Sequence, residues 1–85
     1  MPTMFELAEQ NKKLAAEQCI RLLGQKNPEA VHLNEDGLFE HTNSRGKIRH
    51  MKVCSTFKEY LFEQADRPAA KLHKCVGYYV LYWTK

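Results

Sequence analysis

The sequence predicts an α+β fold: one small domain over residues 1–85, an antiparallel sheet of three to four strands packed by an N-terminal helix and a second amphipathic helix. Three observations carry this expectation. Two Thr-x-x-Glu capping boxes, at Thr3 and Thr56, each open a segment with helical spacing of apolar residues. Between them, short extended stretches are separated by turns rich in Asn and Gly. Near the end of the chain, Tyr78 to Trp83 is a run of aromatic and β-branched residues that suits a strand.

The first helix runs from about Thr3 to Leu23. Phe5, Leu7, Ala8, Leu14, Ala15, Cys19 and Leu22 recur at three- and four-residue steps, while Glu9, Lys12, Lys13, Glu17 and Arg21 fill the other face. Asn11 and Gln18 fall where a coiled-coil seam would need aliphatics. Gly24 ends the helix, because glycine enters the left-handed region without a Cβ penalty. Pro28 then restricts Asn27 to extended geometry.

Ala30 to Leu33 reads either as a short strand or, with Asn27-Pro28-Glu29 as its cap, as one helical turn. The turn chemistry of Asn34-Glu35-Asp36-Gly37 favours the strand, and Leu38 to His41 follows as the next one. A second turn spans Thr42 to Gly46, leading into a third strand over Lys47 to Val53. Alternation there is poor, since Ile48 and His50 share one face and Met51 and Val53 the other. A bulge near His50, or cover on both faces, would account for it.

The second helix starts at Thr56, with Phe57, Tyr60, Leu61, Gln64 and Ala65 on one side, and Pro68 stops it near Asp66. A further short helix from Pro68 to about Cys75 is expected, because proline suits a first helical position and Ala69, Ala70 and Leu72 favour helix. Gly77 then releases the chain into its last strand. The expected order is α-β-β-β-α-α-β, with both amphipathic helices on one face of the sheet.

Composition excludes several classes. No apolar run approaches the roughly 20 residues needed to cross a bilayer, and Val76 to Trp83 is interrupted by Gly77. The opening MPTMFELAEQ carries acids and no basic segment, so it does not read as a secretory signal, and no lipidation motif is present. Three cysteines at irregular positions make no disulfide framework. A cytoplasmic chain without membrane association is the expectation.

Charge is unevenly placed. Net charge is +3, yet residues 1–40 hold seven acids and four bases, and residues 41–85 hold nine bases and three acids. No acid occurs between Glu40 and Glu59, whereas Arg45, Lys47, Arg49, Lys52 and Lys58 all do. Such a basic hairpin suits an anionic partner, through phosphate neutralisation or against an acidic protein surface. The plainer reading of the same residues is a solvated face.

The aromatic run offers a second candidate surface. Alternation places Tyr78, Val80 and Tyr82 on one face and Tyr79, Leu81 and Trp83 on the other. These rings fit a central strand covered on both faces, or an exposed patch with Tyr79 and Trp83 as anchors. His50, Cys54, His73 and Cys75 are the candidate metal set, but a helical 68–75 would point His73 and Cys75 away from each other, and no Cys-x-x-Cys pair exists. Cys54 and His50 lie too far apart along a strand to form a nucleophilic pair, and no glycine-rich phosphate loop is present.

The expected function is therefore non-enzymatic, without cofactor or metal. The chain reads as an inhibitor- or regulator-like interaction protein, by analogy of size with the small regulators of phages and mobile elements. Its partner would be a protein or ribonucleoprotein, as when such a protein blocks a nucleic-acid-handling complex. The alternative is a nucleic-acid-binding regulator that contacts phosphates through the hairpin 45–58. The contact residues are Arg45, Lys47, Arg49, Lys52, Lys58, Tyr79 and Trp83. A homodimer pairing through the C-terminal strand is the third arrangement considered.

Overall fold

The computed structural model describes residues 3–84. Its first element is α1, Met4–Leu22. Thr3 starts it as expected, with Oγ1 accepting the backbone N–H of Glu6 at 3.1 Å. Gly24, at φ +72°, ends it: the N–H groups of Gly24 and Gln25 return to the carbonyls of Arg21 and Ile20, forming a Schellman cap.

The segment after α1 realises both readings in succession. Pro28–Ala30 is one 3-10 turn and His32–Leu33 is a two-residue strand, β1. Asn27 corrects the expectation set by Pro28: it is left-handed (φ 56°) rather than extended. Asparagine tolerates that region, and the conformation directs its carbonyl to the Ala30 N–H and the His41 ring.

Two turns of the same build follow. β2, Phe39–Thr42, and β3, Ile48–Cys54, are each preceded by an Asn-x-x-Gly turn. Asn34 Oδ1 accepts the N–H groups of Asp36 and Leu38, and Asn43 Oδ1 those of Arg45 and Lys47, all within 3.0 Å. Each side chain thus satisfies two donors that the loop would otherwise leave unpaired. The β2–β3 register runs without a break from Phe39↔Met51 to Thr42↔Ile48, so no bulge occurs at His50.

α2, Phe57–Asp66, opens on Thr56, whose Oγ1 accepts the Glu59 N–H, while the Glu59 carboxylate accepts the N–H of Ser55. It stops before Pro68, as expected. The short helix expected over Pro68 to Cys75 is replaced by strand β4, Lys71–Cys75. A turn closed by the Ala70 N–H to the Arg67 carbonyl uses Pro68 as its second residue. Val76 and Gly77, at φ 52° and 80°, then make a two-residue hairpin into β5, Tyr78–Thr84. Pairing with β5 overrides the helical propensity of the segment.

The protein is thus α+β, with a five-stranded antiparallel sheet in the order β1-β2-β3-β5-β4. The helices do not share a face. Alternation and register put Phe39, Met51, Val53, Cys75 and Val80 on one side, where they pack with Ala15, Ala16, Cys19 and Ile20 of α1. On the other side Cys54 and Leu81 pack with Tyr60 of α2 and Ala70. Because both faces of β3 and β5 are covered, neither strand shows the polar alternation of a sheet with one wet face. β5 lies between β3 and β4, so it has no free edge for pairing across a two-fold axis. The open edges are β1 and β4, and β4 carries Lys71 and Lys74, which discourage edge-to-edge association.

Candidate interaction surfaces

The basic residues do not form one patch. Arg45 and Lys47 are exposed in the β2–β3 turn, while Lys58 is exposed in the first turn of α2, beyond the other end of β3 and roughly 20 Å away. Arg49 and Lys52 have opposite parity on β3, which puts them on opposite faces. Arg49 is half-buried, opposite His41 on β2 and Thr84 on β5.

Tyr79 and Trp83 share the α2 face and are half-buried. Tyr79 stacks on Tyr60 with centroids 6.1 Å apart, meets Phe57 edge-on at 5.7 Å, and has the Lys74 ammonium 5.3 Å from its ring. Trp83 stacks on His50 at 5.8 Å, and the Arg67 guanidinium lies 4.6 Å from its centroid. Both rings therefore have intramolecular partners.

Trp83 closes a polar row across the sheet. His32, Glu40, His50 and Trp83 are successive register partners. Glu40 takes His32 Nε2 at 3.2 Å on one carboxylate oxygen and faces His50 Nδ1 at 3.3 Å with the other. The second contact lacks hydrogen-bond geometry, so His50 Nδ1 is buried without a hydrogen-bond partner. Arg67 extends the row to Glu63 at 2.8 Å. Sequence spacing gave no sign of this row, since register brings together residues from four separate segments.

His41 is also a structural residue that sequence reading left unassigned. It is 1% exposed and its Nε2 lies 3.1 Å and 2.9 Å from the carbonyls of Lys26 and Asn27. Two acceptors require Nε2 to carry the proton. Alternation with Phe39 was the available signal, because it placed His41 on the core side.

The cysteines behave as small buried hydrophobes. Burial raises the Cys19 thiol from its ordinary value of 9.0 to about 12 and Cys54 to about 11, where Glu59 and Glu63 add to the effect. Cys75 is also raised by burial, and its thiol shares a side-chain hydrogen bond with Cys19. High thiol pKa values oppose nucleophilic chemistry. On a strand, His73 and Cys75 share a face, which corrects the helical argument against them as joint ligands, but His73 stacks on Tyr82 at 4.9 Å. Among the described residues, no three His, Cys, Asp or Glu side chains are grouped to hold a metal ion, and no helix is long and apolar enough to cross a membrane.

Most of the exposed large apolar side chains lie instead on the helices, with Leu33, Ile48 and Val76 exposed outside them. The first half of α1 holds no buried residue and exposes Met4, Phe5 and Leu7, and its second half exposes Leu14 and Leu22. On α2 only Tyr60 is buried; Phe57 and Leu61 are about half exposed and Phe62 is 72% exposed. Positions 57, 58, 61 and 62 adjoin at helical spacing, so the outer side of α2 is an apolar strip with Lys58 at one end. No protein-family model matches the chain, and neither a curated protein nor a solved structure matches it.

Proposed function

We propose that the chain is a non-enzymatic binding protein that acts as an inhibitor or regulator by covering a surface of a protein or ribonucleoprotein target. The observation that carries this reading is the outer strip of α2. Phe57, Leu61 and Phe62 lie side by side on a rigid helix and remain exposed, and large apolar side chains grouped this way are the usual anchors of protein docking. Tyr79 lies beneath the strip and supports it through Phe57. Lys58 then steers the encounter towards an acidic rim.

The test is capture of partners from lysate on the immobilised intact protein, with and without nuclease, beside an F62S L61S variant of confirmed fold. A stoichiometric protein that survives nuclease and is lost with the variant supports the reading. Equal capture by both forms counts against it.

A second reading rests on a different observation. Arg45 and Lys47 project from the β2–β3 turn at the end of the sheet that also carries Arg49, Arg67 and Lys71, and this favours contact with nucleic-acid phosphates. Binding of that kind weakens steeply with salt, and R45A or K47A lowers the salt slope by about 1 each. A salt-insensitive complex removes this reading.

A further inference from the structure

At one end of the sheet, the start of β3, the end of β5 and the start of β4 border an open cleft of about 310 Å³. It is lined by Arg49, Ala69, Lys71, Tyr82, Trp83 and Thr84. Two cationic side chains and the hydroxyl-bearing Tyr82 and Thr84 line it, and no carboxylate among the described residues does. The Arg49 Nε–H is buried without a hydrogen-bond partner. Among the described residues, neither Arg49 nor Lys71 forms an ion pair; those present join Glu17 to Arg21, Glu40 to His32 and His50, and Glu63 to Arg67.

A half-buried guanidinium with an unsatisfied donor is destabilising, because its Nε–H has lost water and gained no acceptor. An anion seated in the cleft would supply the countercharge, and also the acceptor once the Arg49 side chain turns its buried Nε–H towards the opening. The geometry points to a binding site for a phosphate monoester, held by the Arg49 guanidinium, the Lys71 ammonium and the Thr84 hydroxyl. Arginine offers a planar fork, lysine a point charge and threonine a single donor. Register puts all three on the same face of adjacent strands, where a phosphate monoester, with three strong acceptor oxygens, can meet more of these donors than a carboxylate can. The volume is at the lower limit of small-molecule pockets and exceeds what a bare phosphate needs, leaving room for a compact organic group against Tyr82 and Trp83. Those rings already stack on His73 and His50, so they wall the cleft and are not open for insertion of a base. The site does not depend on what α2 docks.

The test is an NMR titration of the intact protein with inorganic phosphate, followed by a nucleoside 5′-monophosphate, at constant ionic strength set with chloride. Saturable shifts of the Arg49 Nε–H signal and of the Lys71 and Thr84 amides are expected, with acetate weaker than phosphate. R49Q should weaken phosphate binding roughly 10- to 100-fold. In phosphate-free buffer R49Q should be at least as stable as the parent, since it removes an uncompensated charge. A phosphate-dependent rise in Tm should be seen in the parent and be absent from R49Q. Non-saturating shifts spread over all basic residues, or an equal phosphate response in R49Q and K71A, would overturn the site. If R49Q is strongly destabilised without phosphate and K71A binds phosphate as the parent does, Arg49 is a packing residue and the proposal is wrong.

Discussion

His41 Nε2 donates to the carbonyl oxygen of Asn27 at 2.9 Å and so ties the middle of the sheet to the connector between α1 and β1. The bond holds Asn27 in its left-handed conformation. H41A removes it, removes the companion bond to Lys26 and leaves a cavity under the connector. The expected cost is about 2 kcal/mol in urea unfolding, with faster amide exchange at Lys26 to Ala30. A loss below about 0.5 kcal/mol would mean that the connector holds itself.

The thiols set an alkaline limit. Cys19 and Cys54 titrate near 9.0 when unfolded but hold their protons to about 12 and about 11 when folded. Between those values the unfolded chain binds fewer protons, so stability falls as pH rises. Their contribution is complete below pH 9.0 and is lost progressively up to about 11 for Cys54 and about 12 for Cys19. Unfolding free energy measured across that window should decline, and the C19A C54A variant should decline less steeply whatever its absolute stability. Parallel curves would refute the assignment.

Val76 is a β-branched residue at φ 52°, a region where its side chain crowds the backbone. V76N keeps the two-residue hairpin and relieves the strain, so stability should rise by about 1 kcal/mol. G77A at φ 80° should lower it by a similar amount. If V76N destabilises, the valine is making contacts that outweigh its backbone.

Trp83 and Phe62 separate packing from docking. W83A loses the stacking with His50 and the cover of Arg67, and should cost about 3 kcal/mol. F62S exchanges a ring that is 72% exposed, and its effect on stability should be within about 0.5 kcal/mol. Thermal or urea melts of the two variants suffice. A stable W83A would return Trp83 to the list of contact residues.

The parts of this fold that were legible in the sequence are those whose hydrogen bonds close within about five residues. Thr3 and Thr56 announce the helices, Gly24 ends the first, and Asn34 and Asn43 build the two turns, because each acts on its own backbone neighbourhood. The aromatic and β-branched content of Tyr78 to Trp83 marked a strand for a different reason, side-chain propensity, since its hydrogen bonds reach β3 and β4. The side of the sheet that each helix covers was not legible. When β3 and β5 are covered on both faces, their apolar pattern carries no directional information, and only tertiary packing separated α1 from α2.

Tertiary structure alone also decided the segment between α2 and β5 and the candidate sites. Residues 71–75 follow the helix-favouring Ala69 and Ala70 in sequence, but their backbone groups find partners on β5, and that pairing decides the element. The basic residues near position 49 look like one patch on paper, whereas strand alternation divides them and leaves Arg49 facing the cleft beside Lys71. The difference is physical: caps and turns depend on bonds between near neighbours, whereas faces, edges and cavities depend on which distant surfaces leave water together.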